Sequence, residues 1–286
     1  MKRFYSYQSI LNFINTYSIL VAIGSLSSYL FFSNLFDVKP NYVLALGLSL
    51  SLWIIYTLDH LLDGLSIGKD ASSIRHREHF LKHKQMIRWM LFGLIILIGL
   101  SFWVPQVYYG YVLFLCILTL LHFCINYFLS RKYTFLRYLK EIFVALVVTI
   151  GFVITPLIGN EESLNLTQLI YIFIIFYFIN LSNLLIFSFF DRDRDHRDNM
   201  LTIAHLYSHR KLKRLIYLGI GMSTTILVIS YINGHLTLIN FFVLASMQLT
   251  LLFITSFPSY FKFSDRYRFF GDLIYLYPIV VFPFLG

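Results

Sequence analysis

Charge is what this chain has least of. Only 13% of its 286 residues are Asp, Glu, Lys or Arg, about half the share found in soluble globular chains. With 58% hydrophobic residues and a mean hydropathy of +0.72, that scarcity excludes a disordered segment and a water-facing globular surface. Cysteine is nearly missing. Cys116 and Cys124 both lie in one apolar run and read as packing residues, so a disulfide scaffold and a cysteine-rich zinc site are excluded. The chain also lacks G-x-G-x-x-G, a P-loop and a nucleophile-elbow serine motif, which removes the common nucleotide and acyl-transfer classes. Negative charge is scarcest of all: 14 Asp and Glu face 23 Lys and Arg, for a net charge of +9.

What fills the chain is apolar sequence in long runs. A membrane-crossing helix needs roughly 20 consecutive apolar residues, and nine runs are candidates: Ile10–Phe32, Tyr42–Leu62, Ile87–Pro105, Val107–Leu129, Tyr138–Ile158, Leu166–Phe190, Arg214–Ile232, Leu236–Phe257 and Phe269–Leu285. The first is too long, and its leading residues too polar, for a cleaved signal peptide to be preferred. Together the runs predict an all-α integral membrane protein. Nine transmembrane helices form one bundle, residues 1–286 form a single multi-pass domain, and the backbone is satisfied within each helix.

The cations then sort by side. With Lys2 and Arg3 cytoplasmic, every Lys and Arg except Lys39 falls in loops on that same face, as the positive-inside rule expects. The basic excess is therefore a sidedness signal and needs no nucleic acid to explain it. The expected location is a bacterial inner membrane, surrounded by lipid, with the N-terminus in the cytoplasm.

The acids carry more information, because a carboxylate near membrane depth is costly and marks function by default. Asp59 and Asp63 end the second run, and Asp191 and Asp195 end the sixth. Each pair is D-x-x-x-D, which puts two carboxylates on one helical face about 5–6 Å apart at Cβ. A divalent cation relieves their repulsion, and hard oxygen donors suit Mg²⁺. Both pairs close an even-numbered span and lead into a basic loop, so they are expected on the cytoplasmic face around one site. Asp193 and Asp198 read as loop partners of neighbouring arginines. Two metal-binding faces ringed by cations fit a diphosphate, and an apolar bundle with 30 Phe and 21 Tyr fits a long apolar tail. An isoprenyl diphosphate has both parts. Arg75 and Arg77 are candidates for a basic lid over its head group. The spacing of His76, His79 and His83 along one helical face leaves a His-rich iron site as a weaker reading. Asn180 and Asn183 in the sixth run are candidates for an acceptor pocket or for ties between helices. Asp272 is expected to pair with Arg268.

At these residues the chain resembles the UbiA superfamily of intramembrane prenyltransferases. That family is similar in having nine helices, with an N-x-x-x-D-x-x-x-D motif after the second and a D-x-x-x-D motif, often inside D-R-D-x-D, after the sixth. Asp59 and Asp63 match the acids of the first. The run Asp191-Arg192-Asp193-Arg194-Asp195 matches the second. The resemblance implies catalytic, Mg²⁺-binding roles for Asp59, Asp63, Asp191 and Asp195. It also implies diphosphate contacts from Arg131, Lys132 and Arg192, with Lys140 a further candidate that could equally pair with Glu141. The implied reaction moves an isoprenyl group from its diphosphate to a lipophilic acceptor, aromatic ones included. Two positions depart from the pattern: the family's Asn falls at Ile55, and its Tyr before the second motif falls at Phe187. A non-catalytic lipid-binding protein or transporter on the same scaffold is the alternative.

Overall fold

The structure is a computed structural model in which residues 10–129, 134–160, 165–200 and 202–284 are described. The regular elements among those residues are all helical. In chain order they are α1 (Ile10–Thr16), α2 (Ile19–Leu35), α3 (Tyr42–Ile67), α4 (Ile74–Leu81), α5 (His83–Ser101), α6 (Tyr109–Phe123), α7 (Lys140–Val153), α8 (Leu166–Arg197), α9 (His209–Ile232), α10 (Leu238–Ser256), α11 (Pro258–Lys262) and α12 (Arg266–Leu273), with 3₁₀ turns over Ile274–Phe284.

Among the described residues seven segments are long and apolar enough to cross a membrane, or eight if the bent pair α1–α2 is one span. The second to eighth expected runs each overlap one of the seven. The first and the last differ from the expectation, each for a local reason. The first run is broken by a 65° bend between Thr16 and Ile19, where Ser18 takes a left-handed conformation with φ 52°. The carbonyl of Tyr17 at the break accepts a hydrogen bond from the Trp53 indole at 3.0 Å. The last run carries Pro278 and Pro283. Proline removes an N–H and crowds the preceding turn, and the chain there winds as 3₁₀ helix over Ile274–Phe284 rather than as one long α-helix.

The ends of α3 and α8 are set by small polar residues. Asn41 caps α3 by accepting from the Val43 and Leu44 amides at 3.0 and 3.1 Å, and Asn165 caps α8 by accepting from the Gln168 amide at 3.1 Å. Such caps satisfy amides that have no partner inside the helix. The 32 residues of α8 run roughly 48 Å at 1.5 Å each, well beyond the ~30 Å hydrocarbon thickness. The helix is therefore long enough to carry its acidic last turns beyond an apolar slab of that thickness. Gly68 ends α3 with φ +90°. The loop that follows is anchored by Asp198, whose two carboxylate oxygens accept from the Ser72 amide at 3.0 and 3.1 Å. Asp198 thus ties two loops together and does not pair with the neighbouring arginines. Asp193 meets Lys262 at 3.6 Å on the surface.

The core lies among α2, α7, α8, α9, α10 and the 3₁₀ turns after α12, where Phe31, Phe32, Phe152 and Phe176 are buried. A polar seam crosses it. Gln248 donates to Ser223 at 2.7 Å, and Ser223 donates to the Ile175 carbonyl at 3.0 Å, tying α10 to α9 and α9 to α8 as polar groups commonly tie membrane helices. By contrast α6 buries no residue. Phe92, Ile95, Phe102, Trp103 and Leu120 on α5, α6 and their connection are more than half exposed. A large apolar exterior of this kind fits contact with lipid. Cys116 and Cys124 also face outward and are not core packing.

Candidate functional site: one chamber at the ends of α3 and α8

A cavity of about 210 Å³ opens where α3 and α8 end. Asp59, Asp63, Asp191 and Asp195 all line it, together with Arg75, Lys140 and Arg268. The chain brings acids 132 positions apart to one chamber, as the matched motifs predicted.

The first pair is held from α6 and α7. Lys140 Nζ lies 3.2 Å from Asp59 Oδ2. After α6 the backbone widens into a π turn over Cys124–Leu129, a device that re-aims side chains and recurs at functional sites. Here it aims Tyr127, whose hydroxyl lies 2.8 Å from Asp63 Oδ1 and 3.1 Å from Asp59 Oδ1. Asn126 donates to Asp59 Oδ1 at 3.5 Å, and His122 stands 3.9 Å away.

The second pair is held from α12. Arg268 forms an ion pair with Asp191, the Tyr267 hydroxyl donates to the same carboxylate at 2.5 Å, and Arg194 lies 3.6 Å off. Asp195 makes no hydrogen bond or ion pair through its side chain within the described residues. Glu141, adjacent to Lys140, accepts from Ser188 at 2.7 Å and from the Ile203 amide at 3.4 Å, so it braces α7 against α8 and does not pair with Lys140. Among the described residues no three His, Cys, Asp or Glu side chains converge closely enough to hold a metal ion by themselves. His76, His79 and His83, the residues of the iron reading, form no such group.

The short helix α4 closes the chamber from above and presents Arg75 and His76 to it. It can approach because α3 carries Gly64 beneath it: a Cβ there would stand 2.5 Å from the His76 carbonyl oxygen. Among the described residues Arg75 Nε, both ring nitrogens of His60 and of His76, and Nε2 of His79 are buried without a hydrogen-bond partner, although His76 Nε2 lies 4.0 Å from Asp63 Oδ2. Burial and the nearby Arg268 push the Arg75 guanidinium down to about 10. Burial, followed by Arg75 and Arg268, holds His76 well below its usual range, and burial holds His79 down at about 4. Buried polar groups without partners cost free energy, and these cluster around the chamber.

Of the remaining expected residues, Arg77 is exposed and does not line the chamber. Arg192, one position past Asp191, is turned away by the helical repeat, and its carbonyl meets the His205 ring at 3.2 Å. Arg131 and Lys132 lie outside the described residues. Asn180 and Asn183 do not line the chamber; they lie beneath it. Asn180 donates to Thr149 at 2.9 Å and accepts from Tyr275 at 2.6 Å, while Asn183 donates to the Gly271 carbonyl at 3.1 Å. Together they form a hydrogen-bonded floor across α7, α8 and the last helix. Between the charged ring and this floor the walls are Leu52, Ile55, Val144, Val147, Val148 and Leu184. Sequence reading missed Tyr127, Tyr267 and the pairing of Arg268 with Asp191. The sequence points to Arg268 only as a partner for Asp272.

The fold and chamber define an all-helical membrane protein with a carboxylate-and-cation ring over an apolar pocket. The structure is similar to a UbiA homologue from Aeropyrum pernix K1, with a TM-score of 0.63, 13% identity, and coverage of 92% of this chain and 98% of that one. It is also similar to a UbiA homologue from Archaeoglobus fulgidus bound to GPP and Mg²⁺, with a TM-score of 0.63, 11% identity, and coverage of 95% and 99%. A digeranylgeranylglyceryl phosphate synthase aligns at a TM-score of 0.52 and 14% identity, over 98% of both chains. No family model and no curated relative matches the sequence. The chain thus has the fold of the UbiA homologues.

Proposed function

We propose that this chain is a divergent UbiA-type prenyltransferase that moves an isoprenyl group from an isoprenyl diphosphate to a lipophilic acceptor, with Mg²⁺ bound at the acidic motifs. In this reading residues 1–286 form one domain with nine crossings. The N-terminus and both acidic motifs lie on the cytoplasmic side of a bacterial inner membrane. The observation that carries the proposal is the convergence of Asp59, Asp63, Asp191 and Asp195 with Arg75, Lys140 and Arg268 around one cavity whose deeper walls are apolar. The structural neighbour bound to GPP and Mg²⁺ lends the same reading its ligand chemistry.

The donor set fits Mg²⁺ held jointly with a substrate. Mg²⁺ is commonly bound by one or two carboxylates plus substrate phosphate oxygens and not by an all-protein cage. Two carboxylate pairs supply two half-sites of that kind, and among the described residues the Asp195 side chain makes no hydrogen bond or ion pair that would compete. When bound, the cation neutralises charge on the diphosphate as it leaves. The chain's own residues do the rest. Arg75, Lys140 and Arg268 surround the anionic head. Helix α4 covers it, and the apolar wall from Leu52 to Leu184 takes the tail. Tyr56 and Phe187 line the cavity and can turn aromatic faces toward positive charge developing on the allylic carbon. Water is kept out by the lid above and the floor below.

Ile55, lining the chamber where the family pattern has Asn, favours a second reading: a lipid-binding protein or transporter that binds the donor without reacting it. A transporter further expects paired broken spans, and among the described residues only α1–α2 is broken. Mass spectrometry of lipids from cells with and without the gene tests the choice. A prenylated lipid that appears with the wild type and vanishes with Asp195→Asn is expected. An unchanged lipid profile, alongside binding of geranyl diphosphate by the purified protein, would favour the second reading.

A further inference from the structure

Asp272 is the one acid on the chamber wall that belongs to neither motif and to no brace. The sequence suggests an ion pair with Arg268 one turn earlier, but Arg268 is committed to Asp191. Within the described residues the Asp272 side chain forms no hydrogen bond and no ion pair. It nevertheless lines the cavity, and an unpaired carboxylate in an apolar bundle is a cost that a purely structural position does not explain. Glu141, the other unassigned acid there, is already bound to Ser188 and the Ile203 amide.

Its depth is what gives it a role. Arg268, at the level of the charged ring, and Asp272 are one helical turn apart, about 5.4 Å along the axis. Tyr275, in the floor, follows within another turn. On α3 the matching step leads from Asp59 to Tyr56 and Ile55, and on α8 from Asp191 to Phe187. Asp272 therefore sits just beneath the ring that takes the diphosphate and above the level of Asn180, Asn183 and Tyr275. With the head group in the ring and the tail on the apolar wall, the reacting carbon and the incoming acceptor meet at this level. The charged and titratable groups facing it are Arg268 from α12, Arg75 from α4, Tyr56 from α3 and Tyr275 from the last helix.

We propose that Asp272 is the proton acceptor for the second substrate, a lipophilic molecule whose attacking group is a hydroxyl or phenol. This rests on the prenyltransferase reading. The bond from the donor's first carbon to the diphosphate oxygen breaks, and its electron pair leaves with the diphosphate. The acceptor atom bonds to that carbon, and the acceptor proton passes to the Asp272 carboxylate.

The test uses the full chain in vesicles of host lipid, with labelled geranyl diphosphate and Mg²⁺. Asp272→Asn should lower kcat for label entering lipid by about 10²-fold or more, the usual contribution of a positioned base. The donor's KM should stay unchanged, and the acid limb of the pH–rate profile should disappear. Asp272→Glu should restore a substantial part of the rate. Wild-type kcat in Asp272→Asn overturns the proposal, as does a parallel loss of donor binding, which would mark a structural role. If the wild type binds geranyl diphosphate yet transfers no label, the prenyltransferase reading fails and Asp272 loses this role with it. Normal transfer by Asp272→Asn leaves that reading standing and removes Asp272 alone.

Discussion

The two acidic motifs read alike in sequence and are held differently in space. Asp59 and Asp63 are locked as a unit: one tyrosine hydroxyl, from Tyr127, spans both carboxylates, and a lysine neutralises the first. In the second motif only Asp191 is locked, by Arg268 and Tyr267, and Asp195 stands open to the chamber. Identical spacing thus yields one clamped pair and one half-free pair. The difference lies in the partners, which come from helices far away in the chain.

The contrast predicts unequal costs when a lock is removed. Arg268→Met leaves the deeply buried Asp191 facing Tyr267 and the more distant Arg194. Breaking a buried pair in this way costs about 3–5 kcal/mol. Lys140→Met should cost less, because Tyr127, Asn126 and His122 still face Asp59. Thermal unfolding in detergent checks the order, and an equal or reversed order would break the comparison. A smaller effect is expected at the lid. In Gly64→Ala the new methyl meets the His76 carbonyl and lifts α4. The donor's KM should rise by about tenfold, or roughly 1.4 kcal/mol, with kcat falling less. An unchanged KM would mean that the lid does not touch the donor.

The last effect is one of pH and acts on stability alone. His79 is held at about 4 by burial, below its unfolded value, so the unfolded chain binds the proton first as pH falls. Stability should therefore decline between about pH 6.5 and 4, by up to about 1.4 kcal/mol per pH unit from this group. The melting temperature of His79→Gln should fall less steeply across that window, and parallel curves would contradict it.

Much of the architecture was legible from residues alone. Hydropathy located the spans because lipid demands long apolar runs, and the acid pairs stood out because carboxylates are rare there. What stayed hidden is long-range or conformational. Nothing local to Asp191 marks Arg268 and Tyr267 as its partners, and nothing near Asp59 marks Tyr127, which a π turn re-aims. The break at Ser18 depends on a left-handed residue and a carbonyl rescued by Trp53 from another helix. Asn180 and Asn183 read as candidate ties between helices, but their partners, Thr149, Tyr275 and the Gly271 carbonyl, come from distant parts of the chain and only packing reveals them.

The central claim is that both motifs face one diphosphate. The most direct measurement is the affinity of the purified protein for geranyl diphosphate, with and without Mg²⁺, in the wild type, Asp63→Asn and Asp195→Asn. Binding that requires Mg²⁺ and weakens by at least about tenfold in each variant, a loss of roughly 1.4 kcal/mol, is the predicted result. Wild-type affinity in either variant, or binding indifferent to Mg²⁺, would contradict it.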